Sequence, residues 1–323
     1  MSVEKKNRWL VLVHGGAGAM RSMGPKKEAD YRRGLADAVL AGADCLRNGG
    51  QAIESAVAAV RSMELSGAFN AGHGSCLTAD GLVEADAAVM NGADLSYGAV
   101  AAVPRLGNAV VLAETIRSKS PHCLFAGHRA LQSIDALNGP EPEFIDPSPG
   151  RLRNYRQHLE RIGQMDIKMD DLSQLGGTHN EGDTVGAVVL DHAGGLAAAV
   201  STGGIWLKQP GRVGDSPIAG AGLWAENGLM ACAATGTGEY IMRAALAADL
   251  RARVQQGASM EQAGKAAMAA LRTRFGAGRA GLIGVDLNGR ITTAFDTAGM
   301  GRAWLRAGDT TPVVRVWPED DDA

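Results

Sequence analysis

Aromatic residues are scarce: Phe, Trp and Tyr together make up 4% of the 323 residues. A core must therefore be filled by Ala, Val, Leu and Met, small side chains that let sheets and helices pack closely. The four cysteines, Cys45, Cys76, Cys123 and Cys232, stand far apart. With no C-x-x-C pair and no His/Cys spacing suited to zinc, they exclude a disulfide framework and a zinc module and fit a reduced cytoplasm. Net charge is −3 and no basic run could neutralise a series of phosphates, so we expect no nucleic-acid partner. The apolar run after MSVEKKNR is too short for a signal-peptide core, and no stretch approaches a membrane span. We therefore expect a cytoplasmic protein with no membrane partner. Phosphate loops are missing as well. Gly264-Lys265 is followed by Ala266, and Gly236-Thr237-Gly238 lacks the third glycine of a dinucleotide fingerprint.

What the chain has in excess is glycine, 44 residues, roughly twice the usual share. There is no Gly-X-Y period and there are only 11 prolines, so the excess is neither collagen-like nor low-complexity. Fifteen glycines fall between Gly176 and Gly238, which concentrates them around a few loops.

Trp9–Val13, closed by His14-Gly15-Gly16, reads as a buried strand entering a glycine turn. Helical spacing covers Glu28–Arg47, Gln51–Glu64, Ala109–Arg117, His122–Leu137, Arg151–Ile162, Glu239–Gln256 and Met260–Phe275. Asp80-Gly81 between SCLTA and LVEADAAVM, and Asn288-Gly289 between GLIGVDL and RITTAF, predict hairpins. Thr184–Leu190 and Gly195–Val200 predict a third, and further strands are expected at Tyr97–Val103 and Val313–Trp317. Gly163–Asp183 reads as an exposed flexible linker and the tail PEDDDA as disordered. Hairpin-joined strands with helices grouped between them predict an α+β fold of antiparallel sheets covered by helix layers.

Candidate chemistry lies in hydroxyls. Thr184 begins a buried strand directly after the linker, Thr202 lies in STGG, Thr235 in ATGTGE, and Arg212 and Asp215 share the loop PGRVGDSP. Each has an ordinary reading: strand propensity for Thr184, a turn for STGG, a helix cap for Thr235 or Thr237, a loop salt bridge for the last pair. The seven histidines show no paired ligand spacing on one helix face.

Taken together, VHGGAGA, FNAGHGSCLTADGLVEADAAVMNG, GDTVGAVVLD, STGG, PGRVGDSPIAGAG and TGTGE resemble, in the same order, the plant-type asparaginase and isoaspartyl peptidase family of N-terminal nucleophile hydrolases. The resemblance spans most of the chain and is weakest in the proline-rich segment, the linker and the tail. It implies a single domain over residues 1–323, a four-layer αββα sandwich, and self-cleavage between Asp183 and Thr184 into an α-chain of 1–183 and a β-chain of 184–323. The freed Thr184 would carry both hydroxyl and α-amine. Such an amine titrates near pH ~7.7–8.0 and can serve as a general base.

By the same resemblance, Thr202 would orient the nucleophile, and the Thr235 hydroxyl and Gly236 N–H would form an oxyanion hole. Arg212 would take the substrate's α-carboxylate and Asp215 its α-ammonium, with Gly238 adding backbone contacts and Asn70 lying beside the nucleophile. The small-molecule substrates implied are L-asparagine and β-aspartyl dipeptides, attacked at the side-chain carbonyl to release L-aspartate. No cofactor is required for that chemistry. A structural sodium ion is implied within main-chain carbonyls of Met63, Glu64, Ser66, Phe69, Ala71 and His73, and an (αβ)₂ assembly is expected.

One stretch departs from the family pattern. Ile205-Trp206-Leu207-Lys208 stands where the family commonly has Met-Thr-Asn-Lys. Two polar positions have become large and apolar, through altered packing beneath the site or a reshaped leaving-group side. His179 and Glu181 are polar linker residues, and any catalytic part for Asp183 is left open. Two alternatives stay open: a glycosylasparaginase-like amidase or related protease with the same nucleophile, and a non-catalytic or nucleotide-binding protein on the same fold. The intact Thr184, Thr202, Thr235, Arg212 and Asp215 set speaks against the second.

Overall fold

Strands whose every residue is apolar need cover on both faces, and the fold is organised around that requirement. The structure, a computed structural model, describes residues 8–18, 23–163 and 184–322. One sheet has eight strands, β1 (Leu10–Gly18), β2 (Glu84–Asn91), β3 (Tyr97–Pro104), β4 (Leu124–Ala126), β5 (Val185–Leu190), β6 (Leu196–Thr202), β11 (Gly299–Arg306) and β12 (Val313–Arg315), in the order β12-β11-β1-β5-β6-β2-β3-β4. The second has four, β7 (Leu223–Glu226), β8 (Met230–Gly236), β9 (Ala280–Asp286) and β10 (Ile291–Phe295), in the order β10-β9-β8-β7. All ladders are antiparallel except β3–β4.

Side-chain alternation sorts each strand between two apolar clusters. Val11, Val13, Val185, Ala187, Val189, Ala197 and Ala199 pack with the helices α1 (Pro25–Arg47), α2 (Ala52–Ser66) and α3 (Ala109–Lys119). Leu10, Leu12, Val188, Leu190, Ala198 and Val200 meet Ala231, Ala233, Ile283 and Val285 of the second sheet. That sheet's other face, Met230, Cys232, Ala234 and Leu282, packs on α6 (Gly238–Ala244), α7 (Leu246–Gln255) and α8 (Met260–Phe275). Two further α-helices, α4 (Ala130–Asp135) and α5 (Pro149–Gly163), complete the α-helices of the described residues.

Most expected elements form, and the exceptions have physical causes. The strand at Trp9–Val13 runs on through His14-Gly15-Gly16 with a bulge instead of turning. Gly15 is there for close approach, since a Cβ would stand 2.6 Å from the Phe69 ring. The turn at Asp80-Gly81 forms, with the Gly81 N–H donating to the Thr78 carbonyl at 3.0 Å. No strand precedes it, however, because Leu77 and Ala79 pair with Leu207 and Lys208. His122–Leu137 is not one helix: Gly127 adopts φ +66° and Leu124–Ala126 pairs with β3. Glu239–Gln256 divides at Ala245, which adopts φ +48°. The tail Pro318–Asp322 is ordered: Asp320 accepts from Arg32 at 3.0 Å and from the Val316 N–H at 2.7 Å, and Asp321 pairs with Arg302 and Arg315. The expected linker beyond Gly163, with His179, Glu181 and Asp183, lies outside the described residues. Among those described, no helix is long and apolar enough to cross a membrane.

Candidate active site

Thr184 stands immediately before β5, and the β5–β6 register, Val185 opposite Ser201, brings it opposite Thr202. Thr235 comes from the second sheet, where its hydroxyl donates to the Thr184 carbonyl at 3.5 Å. Strands of both sheets thus end at one seam. Thr202 Oγ1 accepts the Gly204 N–H at 3.0 Å and the Asn70 side-chain amide at 3.5 Å. Asn70 also donates to the Gly204 carbonyl at 2.6 Å and accepts the Cys76 N–H at 2.7 Å, which locks the STGG turn to the loop after α2. A cavity of about 10 Å³ is lined by residues that include Thr184, Thr202, Ile205, Arg212, Asp215, Ser216 and Gly236. That is room for about one water.

The PGRVGDSP loop is held by carboxylates. Glu84 accepts the Gly211 N–H at 2.9 Å, and Asp86, two residues along β2 and on the same face, accepts the Gly214 N–H at 3.2 Å and the Ala102 N–H at 2.7 Å. Between those anchors, Arg212 forms a bidentate pair with Glu239, both bonds 2.8 Å. Asp215 is 3% exposed and, among the described residues, its Oδ2 has no hydrogen-bond partner. Burial pushes its carboxyl up to about 7; Arg212 opposes the rise, while the charges of Asp86 and Glu239 add to it. A buried, unsatisfied carboxylate beside a guanidinium is what a zwitterionic amino acid would complete.

Glycine is obligatory at Gly236 and favoured at Gly238. Gly236 adopts φ +132°, and a Cβ would overlap the Arg279 carbonyl oxygen. A Cβ on Gly238 would lie 2.9 Å from Arg212 Nη2 and 3.0 Å from Asp215 Oδ1.

The loop proposed to hold sodium follows α2, whose last turn contains Met63, Glu64 and Ser66 and no basic residue. Helix-terminal carbonyls lack intrahelical partners and attract cations. Gly67 ends the helix at φ +67°, and the chain folds back so tightly that a Cβ on Gly72 would stand 2.5 Å from the Glu64 carbonyl oxygen. One on Gly74 would overlap that of Phe69. Among the described residues the Met63, Phe69 and Ala71 carbonyls accept side-chain or loop hydrogen bonds at 2.9, 3.3 and 3.1 Å, and a carbonyl oxygen has two lone pairs. Those carbonyls therefore keep the chemistry by which main-chain oxygens could hold a cation. The Glu64 side chain is not part of that cradle: it is buried against Ser201 Oγ at 2.7 Å and the Val110 N–H at 3.0 Å. The His73 side chain is turned to Glu143, 3.5 Å away. Among the described residues there is no cluster of three or more His, Cys, Asp or Glu suited to a metal.

The structure thus brings together Thr184, Thr202, Thr235, Gly236, Arg212, Asp215, Gly238 and Asn70. Asp183 lies outside the described residues. Sequence reasoning missed Ser216, whose hydroxyl is 3.2 Å from Thr184 Oγ1; its place beside Asp215 was the available signal. It also missed Glu84, Asp86 and Glu239, which the loop's backbone and Arg212 select only in three dimensions. Trp206 and Leu207 are 1% and 4% exposed and pack with Cys76, Leu77, Val83 and Ile145 beneath α5. Of that departing stretch, Ile205 is the residue that reaches the cavity. A larger cleft of about 560 Å³ between α1, the loop after α2 and α5 contains none of the three threonines.

A profile described as asparaginase matches residues 7–314. The chain is 42% identical over 299 residues to a plant-type L-asparaginase of Pyrobaculum calidifontis, covering 93% of this chain and 97% of that one. It is 38% identical over 320 residues to an isoaspartyl peptidase of Salmonella typhimurium, covering 97% and 100%. To the human isoaspartyl peptidase/L-asparaginase it is 36% identical over 313 residues, covering 96% and 97%.

Proposed function

The chain belongs to the asparaginase family of hydrolases, and from that premise we propose that it is a self-processing threonine hydrolase that releases L-aspartate from β-aspartyl dipeptides and L-asparagine. The observation that carries this reading is the convergence of Thr184, Thr202, Arg212 and Asp215 on one cavity.

Cleavage between Asp183 and Thr184 frees the Thr184 α-amine. Arg212 and Asp215 hold the substrate's α-carboxylate and α-ammonium, so its side-chain carbonyl is presented to Thr184 Oγ1. As Oγ1 attacks, its proton passes to the α-amine, and the oxyanion is held by the Thr235 hydroxyl and the Gly236 N–H. Collapse breaks the amide C–N bond, and the departing nitrogen takes the proton from the Thr184 ammonium. Water then hydrolyses the β-aspartyl ester, which restores Thr184 and releases L-aspartate. Thr202 and Asn70 keep the STGG turn in place against the nucleophile.

In this reading the two sheets and their helices form a four-layer αββα sandwich, a single domain over 1–323 that becomes 1–183 and 184–323 and assembles as (αβ)₂ in the cytoplasm. A sodium ion is held by main-chain oxygens of Met63, Glu64, Ser66, Phe69, Ala71 and His73. Bound there, it supplies a fixed positive charge that stiffens the loop carrying Asn70.

Purified protein is expected to run as two fragments, the smaller beginning Thr-Val-Gly-Ala-Val, and to hydrolyse L-asparagine, β-Asp-Leu, β-Asp-Arg and β-Asp-Lys. Thr184→Ala is expected to remain one chain with no turnover. Hydrolysis by that variant would remove Thr184 as nucleophile, and cleavage of aspartylglucosamine in preference to the dipeptides would move the chain to the glycosylasparaginase-like reading.

A further inference from the structure

We infer that Glu239 is a positioning residue for the substrate: it turns the Arg212 guanidinium so that the Nη1/Nη2 edge is the one offered to the α-carboxylate. The inference rests on the reading that Arg212 is the carboxylate clamp.

A guanidinium has two edges able to take a carboxylate in bidentate fashion, one made by Nε and Nη2, the other by Nη1 and Nη2. Glu239 occupies the first, with Arg212 Nε to Oε1 and Nη2 to Oε2 both at 2.8 Å. Nη1 bonds to nothing among the described residues, so both Nη1 hydrogens and one on Nη2 stay available. The neighbouring chain is pared back on that side: a Cβ on Gly214 would stand 3.0 Å from Nη1, and one on Gly238 2.9 Å from Nη2. Asp215, proposed to take the ammonium, is also 3.0 Å from the Gly238 Cβ position. The open edge and Asp215 therefore flank the same glycine. The substrate does not displace Glu239; it takes the edge that Glu239 leaves.

Glu239 also stands at the right level of exposure for this task. Its side chain is 46% exposed and that of Arg212 is 15% exposed, so Glu239 holds a largely buried guanidinium from its solvent side. Its effect falls on the direction of the guanidinium. Without it, Arg212 can turn either edge to solvent or to the carboxylates of Asp86 and Asp215.

The test compares β-Asp-Leu with an analogue whose aspartyl α-carboxylate is a carboxamide, on processed parent enzyme, Glu239→Gln, Glu239→Asp and Arg212→Ala. For Glu239→Gln, KM for the acid substrate is expected to rise roughly tenfold, the scale of one charge-assisted hydrogen bond, while kcat moves less than threefold. The preference for acid over amide should fall by the same factor. Glu239→Asp, which keeps the charge on a shorter arm, should regain part of that preference. Calorimetric affinity for L-aspartate against β-alanine, which lacks the α-carboxylate, reads the same preference without turnover in any variant that processes poorly. If Arg212→Ala collapses the preference and both Glu239 variants keep the parental value, the positioning role is overturned and the clamp stands. A preference that survives Arg212→Ala overturns the clamp itself.

Discussion

A carboxylate holds an ammonium only while it is ionised, and Asp215 is buried with its carboxyl pushed up to about 7. Free enzyme below that pH carries a neutral Asp215, which cannot pair with the substrate's α-ammonium. The competitive inhibition constant of L-aspartate is therefore expected to rise about tenfold per pH unit below 7 and to level off above it. The Thr184 α-amine also titrates near neutrality, but it acts in the chemical step. The two are separable because the Asp215 limb should be missing from kcat and lost from the aspartate constant in Asp215→Asn. A pH-independent aspartate constant in the parent enzyme would remove Asp215 as the ammonium site. At this scale the sequence was informative through its ordered motifs. Thr184 after a linker, Arg212 and Asp215 in one loop, and the TGTGE segment each have an ordinary reading alone, and the family resemblance of the set gave them their roles. Ser216 and Glu239 could not be read this way, because a serine and a surface-helix glutamate have many uses, and only the distances to Thr184 Oγ1 and Arg212 select one.

Among the elements, those with a complete local signal were legible: α1 with proline in its first turn, α2 between its capping box and Gly67, and the β5–β6 and β9–β10 hairpins. β11 was not. Its sequence GMGRAWLR mixes glycine and arginine, and Arg302 is buried there only because the Met300 and Trp317 carbonyls and Asp321 receive it. Helix α5 shows what the apolar substitution at 206–207 does. The Trp206 ring lies 4.9 Å from that of His158, and Arg151 sits over it at 5.7 Å, so one side chain ties the last described helix before the proposed cut to the loop after STGG. Trp206→Ala should cost roughly 3–5 kcal/mol through the cavity it leaves, measured by urea unfolding of the processed protein. Trp206→Phe should lose less and leave the ranking of β-aspartyl dipeptides as in the parent. A changed ranking would make Trp206 a leaving-group residue instead of a packing one.

For the whole molecule, the decisive fact is the order of strands in the larger sheet. Reading across it, β12 and β11 come from the segment after residue 184, β1 from before it, β5 and β6 from after it, and β2, β3 and β4 from before it. Three ladders cross the proposed cut: β11 with β1, β1 with β5, and β6 with β2. The cluster beneath α1 and α2 likewise draws Val11, Leu35 and Val60 from one side and Val185, Ala199 and Leu305 from the other. Each strand crossing exposes a row of backbone donors and acceptors if the fragments part, together with an apolar face, and both are costly in water. Peptide-bond cleavage before β5 removes a connection but none of these contacts. The two fragments are therefore expected to elute from gel filtration as one species in native buffer and to separate only in denaturant. The isolated 184–323 fragment, which keeps β5, β6, β11 and β12 without β1 between β11 and β5, should fail to refold by circular dichroism and near-ultraviolet fluorescence. Recovery of a folded 184–323 fragment on its own would show that the interleaved sheet is not what holds the processed enzyme together.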